Sequence, residues 1–284
     1  LFINADLTET QEAFQLGKEL AFNYLDLKER PYTASMFKVH TFEEVLNNFK
    51  ASYFAVALLM NRHHVLADLT QLFDQANWDQ DAFLQMMARY QASPEMFLHR
   101  VSNLLPKYFG IDHFFFLRVH DEGTREEGIY HITKELHLSR LHTPHRNDLK
   151  EHYCRRWVAL RTLRELRERH AEETMPVPYH IDAQRSRFFQ SQTEYLCITI
   201  ARSDHPTPNH NVSVTLGVQV DAVSRKRVRF LDSPNIPHQI VNKTCERCAI
   251  ADCQERVASP RIAERLARRE LIRQDLQALL NQKD

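Results

Sequence analysis

Three thiols stand close together in Thr244-Cys-Glu-Arg-Cys-Ala-Ile-Ala-Asp-Cys253, where Cys245, Cys248 and Cys253 follow a C-x2-C-x4-C spacing. A CxxC turn lets two sulfurs converge on one ion, and a third cysteine a few residues later can take another corner of a tetrahedron. The fourth ligand must come from elsewhere. Cys154, Cys197 and His238 are the candidates, with Asp252 ranked below them because a soft thiolate site seldom recruits a carboxylate. Zn2+ and a [4Fe-4S] cluster both accept four thiolates, so the spacing leaves the metal open. The blander readings are three unconnected loop thiols or a redox-active CxxC pair.

The elements that must carry these residues are legible from periodicity. Apolar residues recur at helical spacing over 8–27, with Asp6 or Thr8 as the cap, and over 41–60, 65–73 and 79–90. Ser93-Pro94-Glu95 caps a fifth helix reaching about Pro106. The texture changes at His113-Phe-Phe-Phe-Leu-Arg-Val119, an aromatic and β-branched run that reads as a buried strand, and further strands are expected at 130–133, 194–201, 212–220 and 227–230. A helix is expected over 149–170, with Pro176 and Pro178 marking a loop after it. Beyond Pro260 a stripe of Ile262, Leu266, Ile272, Leu276 and Leu279 predicts a last helix docked on its own domain, with a dimer contact as the alternative. The fold class is therefore α+β: a mostly helical region over 1–117, then an α+β region over 118–284 with a Cys-rich loop and a C-terminal helix.

Composition narrows the functions. The 284 residues carry 37 Lys+Arg against 37 Asp+Glu, and 43% are apolar, so the chain is globular without a general affinity for nucleic acid. Its longest apolar run, Phe54 to Met60, is far short of the roughly 18 residues of a membrane span, and no membrane association is expected. The five glycines never form a GxG pair, which excludes a P-loop and a dinucleotide fingerprint. An odd number of cysteines, three of them clustered, fits a reducing cytoplasm with a metal or redox site. The chain opens on Leu1-Phe-Ile-Asn without a signal-peptide pattern, and we read it as an excised piece of a longer protein.

Phe14-Gln-Leu-Gly-Lys-Glu-Leu-Ala-Phe22 resembles the F-x-L-A-H-E-L-G-H segment of ImmA/IrrE-type metallopeptidases, and Ala51-Ser-Tyr-Phe-Ala-Val-Ala-Leu-Leu-Met60 resembles their A-N-Y-F-A-A-A-L-L-M-P stretch. Trp78-Asp79 and Tyr90-Gln-Ala-Ser-Pro-Glu-Met96 fit the same family. HExxH chemistry needs two histidines four apart to hold zinc, with the glutamate between them as base. Here those histidine positions hold Lys18 and Phe22, the later acidic position matches Lys50, and only Glu19 survives, so the resemblance implies the scaffold without the peptidase. A Lys18–Glu19 or Lys50–Glu19 ion pair is expected to fill the emptied pocket.

The second half resembles the C-terminal domain of the short-chain fatty acyl transcriptional regulator family. The matching pieces are His152-Tyr-Cys-Arg-Arg-Trp157, Tyr195-Leu-Cys-Ile-Thr-Ile-Ala-Arg202, Val214-Thr-Leu-Gly-Val218 and the cysteine motif continued through Arg256 to Pro260. The resemblance implies a regulator with an N-terminal helix-turn-helix domain that this chain lacks, and contact with DNA only through that domain. It also implies a degenerate peptidase-like domain and a sensor domain answering to a short-chain acyl-CoA, and a homo-oligomer is expected as the assembly. It nominates Cys154 as the fourth thiol beside Cys245, Cys248 and Cys253. For the acyl-CoA it points to Arg155, Arg156 and Trp157, since phosphates favour arginine and adenine stacks on indole or guanidinium, with Arg202 as a further candidate. The segment from Lys134 to His170 holds ten Lys/Arg against five Asp/Glu, which suits that role but equally suits a solvated helix face with Trp157 in the core. Phe114, Phe115 and Phe116 read as core rather than as an acyl pocket. An Fe–S or redox sensor and a zinc metallopeptidase are the competing functions.

Overall fold

The computed structural model describes residues 3–31, 40–123, 128–137, 151–172, 178–205 and 210–281, and it is a mixed α+β fold. Five helices come first: α1 (Glu9–Tyr24), α2 (Phe42–Leu59), α3 (Arg62–Phe73), α4 (Gln80–Arg89) and α5 (Pro94–Leu104). Each begins where a short polar side chain can accept from an otherwise unpaired backbone N–H. Thr8 closes a reciprocal capping box with Gln11, and Thr41, Asn61, Asp79 and Ser93 cap the other four. α1 crosses α2 closely at Gly17, where an added Cβ would stand 3.0 Å from the Cβ of Ala55 and 3.2 Å from its Cα.

A six-stranded sheet follows, formed by β1 (Phe114–Asp121), β2 (Tyr130–His137), β3 (His180–Phe188), β4 (Glu194–Ser203), β5 (Asn211–Gln219) and β6 (His238–Val241). Its order is β2-β1-β5-β4-β3-β6, antiparallel throughout except for β3 with β6. Helix α6 (Val158–Glu172) packs on one face and the N-terminal helices on the other. The period of two along a strand explains the aromatic run in β1: Phe114 and Phe116 enter the core shared with α3, α4 and α5, while Phe115 and Leu117 enter the core beneath α6. Leu196, Ile198 and Ile200 on β4 and Val214, Leu216 and Val218 on β5 join the first of these cores. That core runs without a break from Val56 to Ile236, and the expected boundary at 117/118 falls inside β1.

Several elements differ from expectation. The strand expected at 227–230 is the end of α7 (Ala222–Arg227) and a 3-10 turn, Arg229–Asp232, whose Phe230 is buried in the helical core. β3 and β6 were not anticipated, because alternating Arg and Ser in β3 and the brevity of β6 leave little apolar pattern. Helix α6 starts at Val158, later than the expected 149, and Pro176 lies outside the described residues. The last helix, α8 (Arg261–Asn281), has no buried residue, so the expectation that it docks on its own domain is corrected. Among the described residues no helix is long and apolar enough to cross a membrane.

Candidate functional site

The zinc-motif positions lie on α1, and the fold disperses their side chains. Phe22 is buried beside Ala21 and Ala51, with the Arg30 guanidinium 4.7 Å from its ring centroid. Glu19 accepts from Arg30 on both carboxylate oxygens at 2.9 Å and from Asn23, and this clamp lowers its pKa below the ordinary carboxylate value. Lys18 donates to the Asn48 Oδ1 at 2.7 Å, and Lys50 donates to the Asn47 Oδ1 at 3.4 Å. The expected Lys18–Glu19 or Lys50–Glu19 pair is therefore not formed. A single Arg30 nitrogen, Nη1, spans both Glu19 oxygens, while Lys18 and Lys50 turn to asparagine side chains instead. An ammonium and a phenyl ring offer zinc no lone pair, so the motif's chemistry is absent from α1.

Lys18 instead lines a cavity of about 450 Å3 between the helices and the sheet. The α1 and α5 helices contribute Lys18, Glu95 and His99, and strands β1, β2 and β4 contribute Arg118, His120, Lys134 and Arg202, with Asp204 just beyond β4. Four cationic side chains thus face two carboxylates. Lys134 pairs with Glu95 at 2.9 Å, and Arg118 reaches Glu95 and Asp204 at 3.2 Å each. Burial pushes the Glu95 carboxyl upward, but Lys134 and Arg118 overcome it and hold the group at about 2. Burial, helped by Lys134, drives His99 down to about 3, and burial with Arg118 also lowers His120, so these imidazoles stand neutral at pH 7. The Arg202 Nε is buried without a hydrogen-bond partner among the described residues. A second cavity of about 520 Å3 adjoins, sharing Gln11, Ser93, Arg202 and His205 with the first and otherwise largely apolar. An excess of fixed cations at one end of an elongated, partly apolar cleft suits an anionic ligand with an organic tail.

The cysteine loop is a second constellation. An antiparallel bridge between Tyr153 and Thr244 brings the two segments together, with the Cys154 N–H donating to the Lys243 carbonyl at 3.1 Å and the Cys245 N–H to the His152 carbonyl at 2.8 Å. The Cys248 N–H closes the CxxC turn onto the Cys245 carbonyl at 3.2 Å. Arg256 gathers the loop from below, donating to the carbonyls of Cys245, Cys248 and Ile250. Two side-chain contacts rivet the loop to the segment preceding α6: Glu151 grips Arg247 bidentately at 2.7 and 2.8 Å, and the buried Glu246 lies in hydrogen-bond contact with the His152 Nδ1 at 2.8 Å. Cys154, Cys245 and Cys248 are buried, and Cys253 is half-buried. Burial pushes the Cys154 thiol up to about 11, with Cys245 and Cys248 near enough to add to the rise. Among the described residues no three His, Cys, Asp or Glu side chains stand at metal-holding spacing. The donor set suits a soft ion, and the sulfurs are neighbours held by backbone rather than converged on a point.

Of the alternatives for a fourth ligand, Cys197 lies inside β4 with its sulfur over the Tyr195 carbonyl, and His238 is exposed on β6 beside Glu194. The expected ligand arginines separate. Arg202 lines both cavities, while Arg155, Arg156 and Trp157 line neither. Arg155 stacks over the Tyr130 ring at 4.5 Å and donates to the Gly128 carbonyl, Arg156 donates to the Ile240 carbonyl, and Trp157 is buried with its indole N–H on the Asn242 carbonyl at 2.7 Å. These donors tie the start of α6 to the sheet and to the segment leading into the cysteine loop. Sequence reading missed Lys134, Arg118 and Glu95, whose only signal is charge inside otherwise apolar strand and helix patterns.

Residues 1–102 match the family model of the IrrE N-terminal-like domain. No curated protein matches the chain. The matched segment runs from the N-terminus into α5, so the IrrE-like part supplies Lys18, Glu95 and His99 to the cavity, and the sheet that follows it supplies Arg118, His120, Lys134 and Arg202.

Proposed function

We propose that this chain is the ligand-sensing part of a helix-turn-helix transcriptional regulator, in which a peptidase-like scaffold without zinc chemistry helps to enclose a short-chain acyl-CoA. One observation carries this reading: the cavity that Lys18 enters from the zinc-motif position is walled by the helices and the sheet together, with cations in excess. A ligand there touches both parts, which is what a sensor needs in order to alter their relationship. The ligand lies in the cation-rich cavity, with its phosphates toward Arg118 and Arg202 and its thioester toward Lys18. The Cys154, Cys245, Cys248 and Cys253 thiolates hold a Zn2+ or [4Fe-4S] centre, a structural clasp between the cysteine loop and the segment entering α6. A second copy of the chain covers α8, whose Leu276 and Leu279 are 57% and 59% exposed. The peptidase reading rests on the IrrE-like match alone and is opposed by Lys18, Phe22 and Lys50.

Calorimetry with acetyl-CoA tests the site. The chain binds it, Arg202→Ala weakens binding by about tenfold to a hundredfold, corresponding to about 1.5–3 kcal/mol for a charge-assisted bond, and Arg156→Ala leaves it unchanged. Absence of binding to the unaltered chain, or a loss confined to Arg156→Ala, overturns the assignment.

A further inference from the structure

We propose that Lys18 is an acyl acceptor, taking the acyl group of a thioester bound in the junction cavity onto its side-chain nitrogen. The inference rests on the preceding reading that the cavity admits an acyl-CoA, and adds a chemical consequence to it.

The geometry distinguishes Lys18 from the cavity's other lysine. The Lys134 ammonium is held by the Glu95 carboxylate at 2.9 Å, whereas Lys18 donates to a neutral amide, Asn48, and has no carboxylate within ion-pair distance among the described residues. Its surroundings disfavour charge. Burial, and then the Lys134 cation, lower its pKa to about 8 against the opposing pull of Glu95. The other charged or titratable groups of the cavity are His99 on α5, Arg118 and His120 on β1, Arg202 on β4, and Asp204 and His205 beyond it. At pH 7 about a tenth of such a lysine is the free amine, against about 0.04% for an ordinary one. The free amine is the nucleophile, and desolvation next to another cation is a recognised way of producing it.

The reaction needs no further reagent. The nitrogen lone pair of Lys18 attacks the thioester carbonyl carbon and a C–N bond forms. Collapse of the tetrahedral adduct breaks the C–S bond, with the electron pair leaving on sulfur. The proton lost from nitrogen passes to solvent and the thiolate is reprotonated from solvent, giving an amide and free coenzyme A. The product removes one of the cavity's four cations and leaves the acyl group where the ligand had been.

Incubating the intact protein with acetyl-CoA across pH 6 to about 9, followed by proteolysis and mass mapping, tests the proposal, with calorimetry in parallel. The expected result is acetylation of Lys18 at least about tenfold faster at pH 7 than of the exposed Lys226, with a rate that climbs with pH and levels off above about 8. Excess free coenzyme A, which fills the cavity without donating, slows it. Calorimetric binding with Lys18 labelled no faster than Lys226, or labelling indifferent to coenzyme A, overturns the acceptor role and leaves the ligand assignment standing. Absence of binding in the calorimeter removes both.

Discussion

Glu19 keeps its identity from the zinc motif but pairs with neither Lys18 nor Lys50, because the Arg30 Nη1 donates to both of its carboxylate oxygens. Single residues of this kind were readable as departures from the motif, since a phenyl ring and a protonated lysine lack the imidazole nitrogen that the motif presents to zinc. Where the replacements would point was not readable, because ion-pair choice depends on residues brought near from other elements. The cysteines show the reverse. Spacing within 245–253 is local and was visible directly, while the approach of Cys154 depends on the 153–244 bridge. If those four thiols hold a metal, Cys248→Ser lowers the metal content of the purified protein and shifts the melting temperature down by several degrees, because the loop loses a cross-link to the α6 entry. Elemental analysis beside a thermal scan checks this, and unchanged metal and melting temperature would reject the site.

At the scale of elements, the caps and apolar spacings located α1 to α5 to within a few residues, since a helix closes its hydrogen bonds within its own segment. Strands lack that self-sufficiency. β3 owes its place to pairing with β4 and β6, and its Arg185 is buried because Glu194 and Asp232 accept from it. Gly217 on β5 lies beneath the ring of its cross-strand partner Phe115, and an added Cβ would meet ring carbons at 2.2 to 2.8 Å. That glycine has a packing reason no local pattern announces. The stripe of α8 was legible but its partner was not, because amphipathicity says that a face must be covered and not by what. With a second copy as the cover, Leu276→Glu shifts the sedimentation coefficient toward that of a monomer at micromolar concentration. A monomeric unaltered chain, or a Leu276→Glu variant that sediments with it as a dimer, would contradict the pairing.

For the whole molecule, the decisive feature is a core that joins Phe97, Leu98 and Leu105 to Ile198, Ile200 and Leu216 across the expected boundary. The IrrE-like helices and the sheet are therefore expected to melt together. Scanning calorimetry should record one cooperative transition rather than two, and two resolved peaks would instead support independent domains over 1–117 and 118–284. The junction cavity is a product of the same joining. By itself the sequence determined the fold class, the helical N-terminus, the loss of the zinc motif and the clustering of three cysteines, all properties of residue type and short-range spacing. Only the tertiary structure decided that Arg202 faces a cavity while Arg155, Arg156 and Trp157 brace a loop, and that Lys18 meets Lys134 across the helix–sheet junction. Those outcomes depend on contacts between segments far apart in the sequence, where a charged side chain acquires its function from what the fold sets opposite it.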